Sequence, residues 1–148
     1  YYATDAAHLI DDDTNATAYA LRAYWRPEES GTATPEVSVG YDTVSFDGQA
    51  GAGKVKEATS YFVGLGWSDI FQDSDYIGIG FGQPLKVTET VSDSAADNGI
   101  DPLLWEVTYS FKVNDSVTMI PAIFGGSQIQ SETEQDIFGA ALTTKFKF

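Results

Sequence analysis

Cysteine is absent from these 148 residues, which excludes a disulfide framework and any cysteine-based metal site. Basic residues are scarce: 8 Lys and Arg stand against 22 Asp and Glu, a formal charge of −14. A chain of that sign repels phosphate backbones, so nucleic acid is not an expected partner. Histidine occurs once, as His8, and a lone imidazole with no partner nucleophile makes a poor catalytic dyad. No apolar run approaches the roughly 18–20 residues of a spanning helix, and no basic stretch followed by an apolar one opens the chain. Either a leader has been removed or the chain begins inside a longer gene product.

What is present in quantity is glycine and aromatics: 14 Gly, 3 Trp, 8 Tyr and 9 Phe. That composition favours strands and turns, and the length suits one ordinary domain. Apolar residues recur with period two along most of the chain and almost nowhere with the period of a helix. In LLWEVTYSFKVN, Trp105, Val107, Tyr109, Phe111 and Val113 share one face opposite Glu106, Thr108, Ser110 and Lys112. The same alternation sets Tyr19, Leu21, Ala23 and Trp25 against Arg22, Tyr24 and Arg26, and Val37, Val39 and Tyr41 against Glu36, Ser38, Gly40 and Asp42. Further on, Tyr61, Val63, Leu65 and Trp67 oppose Gly64 and Gly66, while Ile77, Ile79 and Phe81 oppose Gly78, Gly80 and Gly82. VTMIPAIF is apolar on both parities apart from Thr118; Val117, Met119, Pro121 and Ile123 are assigned to the apolar face.

Seven antiparallel strands are therefore predicted, at about 17–26, 35–46, 58–68, 75–85, 103–113, 117–124 and 136–148. The expected fold is an all-β, up-and-down meander. Short turns at about 27–34, 69–74 and 114–116 alternate with longer acidic connectors at about 1–16, 47–57, 86–102 and 125–135.

Two architectures use such strands: a soluble barrel turns the apolar parity inward, and a transmembrane barrel turns it out to lipid around a polar interior. The aromatics discriminate between them. If the short turns mark one rim, Trp25, Trp67, Phe111, Phe146 and Phe148 gather near it, and Tyr61, Trp105 and Phe138 gather near the other. Two aromatic girdles around a band of Val, Leu, Ile and Ala are expected of a membrane-facing surface. Strands of about 9–11 residues also suit a tilted crossing.

The terminal DIFGAALTTKFKF, alternating and ending on Phe148, resembles the carboxy-terminal targeting strand of bacterial outer-membrane barrels. Together with LLWEVTYSFKVNDSVTMIPAIFGG and the acidic loop between them, it resembles the end of cyanobacterial porins, channels related to the carbohydrate-selective porins and often labelled iron-uptake porins. That resemblance implies a barrel of about sixteen strands, preceded by a periplasmic surface-layer-homology module that has no counterpart here. On it, the chain is the carboxy-terminal part of a barrel in the outer membrane of a Gram-negative-type, cyanobacterial cell. Its carboxy terminus and short turns are periplasmic and its long connectors external. The implied function is passive diffusion of ions and small hydrophilic solutes, with no catalysis, cofactor or metal. Implied partners are outer-membrane lipid, the remaining strands of the same barrel, further copies in a trimer, and the barrel-insertion machinery that reads the last strand.

On this model Arg22, Arg26, Glu36, Asp42, Glu106, Lys112, Lys145 and Lys147 line water. Arg22 and Arg26, two positions apart on one face, are the candidates for an anion-attracting stripe. Gly64, Gly66, Gly78, Gly80 and Gly82 form a patch with almost no side chains, either to permit strong twist or to receive a segment folded into the lumen. GQAGAGKV has the glycine spacing of a phosphate-binding loop but lacks the hydroxyl residue and the following helix that such a loop requires. Asp11–Asp13 and the carboxylates of DSAADNGID lack the alternating spacing of a Ca²⁺ loop and read as solvated acid. Two other functions fit the pattern less well. One is a complete eight-stranded membrane barrel with an adhesive or structural role, using YYATDAAHLI as a first strand. The other is a soluble β-barrel holding a small apolar ligand.

Overall fold

A computed structural model describes residues 14–28, 34–92, 101–128 and 136–148. Within them lie seven strands: β1 Asn15–Trp25, β2 Glu36–Asp47, β3 Val55–Ser68, β4 Tyr76–Thr90, β5 Leu103–Asn114, β6 Val117–Ser127 and β7 Ile137–Phe146. They form one antiparallel sheet in the order β1-β2-β3-β4-β5-β6-β7, the meander that period-two patterning and short connectors dictate. No helix occurs among the described residues. His8, Asp11–Asp13, the proposed first strand in YYATDAAHLI and most of DSAADNGID lie outside them.

Because directly paired residues share a face, the register fixes both surfaces of the sheet. One surface runs from Leu21 through Tyr41 to Tyr61, from Val63 through Phe81 to Trp105, and from Val107 through Ile123 to Ala140. Along these rows it is apolar from edge to edge, while toward the far ends of β3 and β4 it carries Glu57, Lys86 and Glu89. In β6 the ambiguous stretch resolves as assigned: Val117, Met119, Pro121 and Ile123 pair with Phe146, Thr144, Leu142 and Ala140. No second layer among the described residues covers this surface. The only buried side chains among the described residues are Val55, Ala58 and Asp75, while Leu21 is 70%, Ile123 45% and Leu142 60% exposed.

The strands are staggered. Trp25 ends β1, yet its ladder row continues through Val37, Leu65, Ile79, Val107 and Ile123 to Ala140, six residues before the end of β7. At the opposite ends, Ile137 opens β7, and its row returns through Gly126, Leu104, Gly82, Phe62 and Gly40 to Arg22, seven residues into β1. Both ends slip the same way by about one residue per strand. With ~3.3 Å per residue and ~4.8 Å per strand, the strands lean about 35° from the normal to the sheet's ends.

Three predicted boundaries are corrected. β3 begins at Val55 and β4 runs to Thr90, so these two strands outreach their neighbours, and the connector expected at 47–57 shrinks to residues 48–54. The physical reason is that VKEATS and KVTET carry polar groups on both faces, which erases the alternation although the backbone pairing continues. Glu57 pairs with Glu89 and Thr59 with Lys86, with register slips on either side of Glu57 and a third between Thr59 and Tyr61 that spans Pro84, a residue with no N–H to give a ladder. An ion pair between Lys56 and Glu89 crosses this extension. GQAGAGK is thus the tip of a hairpin, with Gly48, Gly51 and Gly53 at φ of 87°, 141° and 83°; a strand, not a helix, follows it.

The 69–75 turn is organised by one carboxylate. Asp75, 2% exposed, accepts from the backbone N–H of Ile70 at 2.8 Å, Phe71 at 3.0 Å and Gln72 at 3.1 Å, and from the Tyr109 hydroxyl at 2.9 Å. Burial pushes its carboxyl upward, but these donors outweigh it and hold the group below the ordinary carboxylate value. Phe71 meets Tyr109 edge-on at 5.8 Å, and Tyr109 stacks on Phe111 at 5.1 Å. The turn therefore carries an aromatic cluster at the rim of the apolar face.

Candidate functional site

The opposite face holds Arg22, Glu36, Asp42, Glu106, Lys112 and Lys145 and the glycines of β3 and β4. Its rows include Arg22–Gly40–Phe62–Gly82, Tyr24–Ser38–Gly64–Gly80–Glu106 and Glu36–Gly66–Gly78–Thr108. All of the glycines predicted to form a patch lie there, on adjacent β3 and β4.

The patch is not bare. A Cβ on Gly66 would collide with the Tyr76 hydroxyl and meet the Glu36 carboxylate, and one on Gly78 would meet Thr108 Oγ1 at 2.8 Å. Gly64 lies under Ser38, and Gly82 against the backbone of Tyr61 and Phe62; only Gly80 opens onto free space. The glycines are needed because the chain's own Tyr76, Ser38 and Thr108 lean over them. What results is a trough of about 270 Å³ with Gly64, Gly66, Gly78 and Gly80 as its floor and Tyr24, Glu36, Ser38, Tyr76, Glu106 and Thr108 as its walls. Five consecutive strands contribute to it.

Charge on this face is arranged in two ways. Arg22 is neutralised: its Nη2 donates to Asp42 Oδ1 at 2.7 Å and Oδ2 at 2.9 Å, and Ser60 Oγ donates to Asp42 Oδ2 at 3.0 Å. The guanidinium also lies 5.4 Å from the Phe62 ring centre, and Phe62 fills the space above Gly40. Arg26, one residue past the end of β1, is 3.4 Å from Glu36, which also accepts from the Tyr24 hydroxyl at 2.7 Å. Each arginine of the expected anion-attracting Arg22–Arg26 stripe thus faces a carboxylate on β2, and cross-strand pairing of this kind was invisible without the register.

The remaining predicted residues stand apart. Glu106 is exposed beside the open space over Gly80. Lys112 and Lys145 share one ladder row through Thr118. Lys147 lies beyond β7, its backbone N–H donating to Ser116 O at 2.9 Å. None of these four side chains forms an ion pair with a described residue. Past β5 the face changes character: Ile120, Ala122 and Phe124 of β6 and Ala141 of β7 lie on it.

Sequence reasoning missed Tyr24, Tyr76, Ser38, Ser60 and Thr108 as members of this site. Their parity was legible, but which residues meet depends on register, and a one-residue slip would have paired different hydroxyls with Glu36 and Asp42.

The predicted girdle residues Trp25, Trp67, Trp105, Phe111, Phe138 and Phe146 all lie on the apolar face, and Phe148 follows β7, fully exposed. Once the lean of the strands is taken into account, Trp25, Trp67, Phe111 and Phe146 follow the short-turn rim. Toward the other rim Tyr41 pairs with Tyr61 and Phe81 with Trp105, and the Trp105 ring lies 6.1 Å from Phe138. Among the described residues no cluster of His, Asp and Glu is arranged to hold a metal ion. No family model, curated protein or solved structure matches the chain.

Proposed function

We propose that this chain forms part of a transmembrane β-barrel of the outer-membrane porin type, through which ions and small hydrophilic solutes diffuse without chemistry. The observation that carries this reading is the uncovered apolar face: seven strands wide, rimmed by aromatics, and with no layer of the described residues packed on it. A soluble domain must bury such a face; lipid is the solvent that does not require it to be buried.

Three further features support the reading. The stagger of about one residue per strand corresponds to a lean of about 35°, within the range of membrane barrels. The trough gathers groups from five consecutive strands, as the concave side of a curled sheet would. The outer edges of β1 and β7 have no ladder partner among the described residues, so closure calls for additional strands, consistent with a larger barrel. Solutes would pass the mixed array of Arg22, Asp42, Glu36, Glu106, Lys112 and Lys145, which sets a modest ion preference without tight binding.

Reconstitution of the membrane-extracted protein into planar bilayers tests the reading. Stable, water-filled conductance steps are expected. A protein that partitions into detergent yet passes no ions would favour a closed barrel, and one that stays in the aqueous phase would defeat the membrane reading altogether.

A further inference from the structure

Of the eight Lys and Arg in this chain, Arg22, Arg26, Lys56 and Lys86 each reach a carboxylate. Carboxylates outnumber bases nearly threefold, so an unpaired base has been placed away from abundant partners. Among the described residues none pairs with Lys112, Lys145 or Lys147, and all three lie toward the short-turn end of the sheet. Lys112 pairs with Thr118 and Thr118 with Lys145. The two lysines therefore sit in one row, two strand spacings or about 10 Å apart at the backbone, on the face opposite Phe111 and Phe146. A lysine stem of ~6 Å lets both ammonium groups converge above the Thr118 hydroxyl. The acidic groups nearby are exposed on the turns rather than in this row: Asp115 between β5 and β6, and Asp69 and Asp73 in the 69–75 turn, whose Gln72 Nε2 reaches Lys112 O at 3.1 Å.

We infer that this end of the water-facing side is an anion-receiving mouth, in which Lys112 and Lys145, flanking Thr118, hold a small oxyanion such as inorganic phosphate. The inference rests on the porin reading and deepens it by naming the solute class drawn to one end. Two ammonium groups and a hydroxyl suit an ion with several acceptor oxygens better than chloride. The same phosphate chemistry occurs in lipid headgroups, but the lysines stand on the face opposite the aromatics of that rim, which favours the dissolved ion.

The test is single-channel recording on the membrane-extracted protein and on a K112Q/K145Q variant, in KCl with inorganic phosphate added to one side at a time. K56Q serves as a variant with a positive charge removed elsewhere, and heat-modifiable migration in detergent checks that each barrel is folded. Expected is a phosphate-dependent reduction of chloride current, stronger from the side of the carboxy terminus. In K112Q/K145Q the concentration needed should rise roughly fivefold and the reversal potential should move toward the cation, while the phosphate response of K56Q stays like the parent's. A conducting parent that ignores phosphate overturns the inference and leaves the porin reading standing. So does a variant whose only change is altered dependence on anionic lipid, which would assign the lysines to headgroups. A protein that forms no channel overturns both.

Discussion

Arg22 on β1 grips Asp42 on β2 through two hydrogen bonds from one nitrogen, at 2.7 and 2.9 Å, so the most prominent cation of the polar face adds almost no net charge to it. Removing either partner should expose the other. Replacing Asp42 with Asn leaves an unpaired guanidinium and should shift ion preference toward anions; R22Q should shift it toward cations. The R22Q/D42N double variant should return close to the parent. Both side chains are partly solvated, so folding should change little, and reversal potentials in a salt gradient read the effect. Equal shifts of the same sign in both single variants would contradict the pairing.

Asp75 makes a separate prediction, in the 69–75 turn rather than on the polar face. Its folded pKa is held below the ordinary value, so its contribution to stability is fully present above the unfolded value of ~3.9 and is lost only as pH falls through the lower folded value. Amide exchange of Ile70 and Phe71 should therefore stay slow at pH 4 and accelerate only in stronger acid. In D75N, where the side-chain amide places its own hydrogens against those donors, exchange should be roughly tenfold faster even at neutral pH; Y109F should have a smaller effect. Protected Ile70 and Phe71 amides in D75N would show that the turn is held by something else.

Trp105 lies over Gly125, where an added Cβ would come within 2.7 Å of the indole and 2.9 Å of the Ile137 carbonyl oxygen. G125A should cost about 1–3 kcal/mol through displacement of the ring and should lower the temperature at which the folded protein loses its heat-modifiable migration in detergent. The same indole reports on its surroundings. With Trp25 and Trp67 replaced by Phe, fluorescence of Trp105 should be quenched more by lipids brominated near the headgroup than at mid-chain. Absence of quenching by either lipid would remove this aromatic from the membrane surface.

How far the sequence alone reached follows from where alternation survives. Wherever one face meets a single environment throughout, as at Trp105–Val113 or Tyr19–Trp25, parity was readable and the strands fall within a residue or two of the expected bounds. Where polar residues fall on both faces, at Val55–Thr59 and Lys86–Thr90, the chain still pairs but the sequence carries no periodic signal. The site divided in the same manner. Membership of the polar face is a property of one strand and was visible; partnership across strands, such as Arg22 with Asp42 or Tyr76 over Gly66, depends on register and was not.

The absence of cysteine makes the decisive test of the two faces direct, because any introduced thiol is unique. Gly80 has open space where a Cβ would stand, and it neighbours Glu106 in one row of the polar face; Ile79 and Val107 form the adjacent row of the apolar face. In protein reconstituted into vesicles, G80C and E106C should react with a charged, water-soluble thiol reagent, and I79C and V107C should not. A lipid-soluble reagent should reverse the order. Reaction alternating with period two in opposite senses for the two reagents is what a water-lined channel in lipid demands. A soluble barrel with its apolar face inside would leave I79C and V107C unreactive toward both, and a chain with uniform labelling at all four positions would have no sided sheet at all.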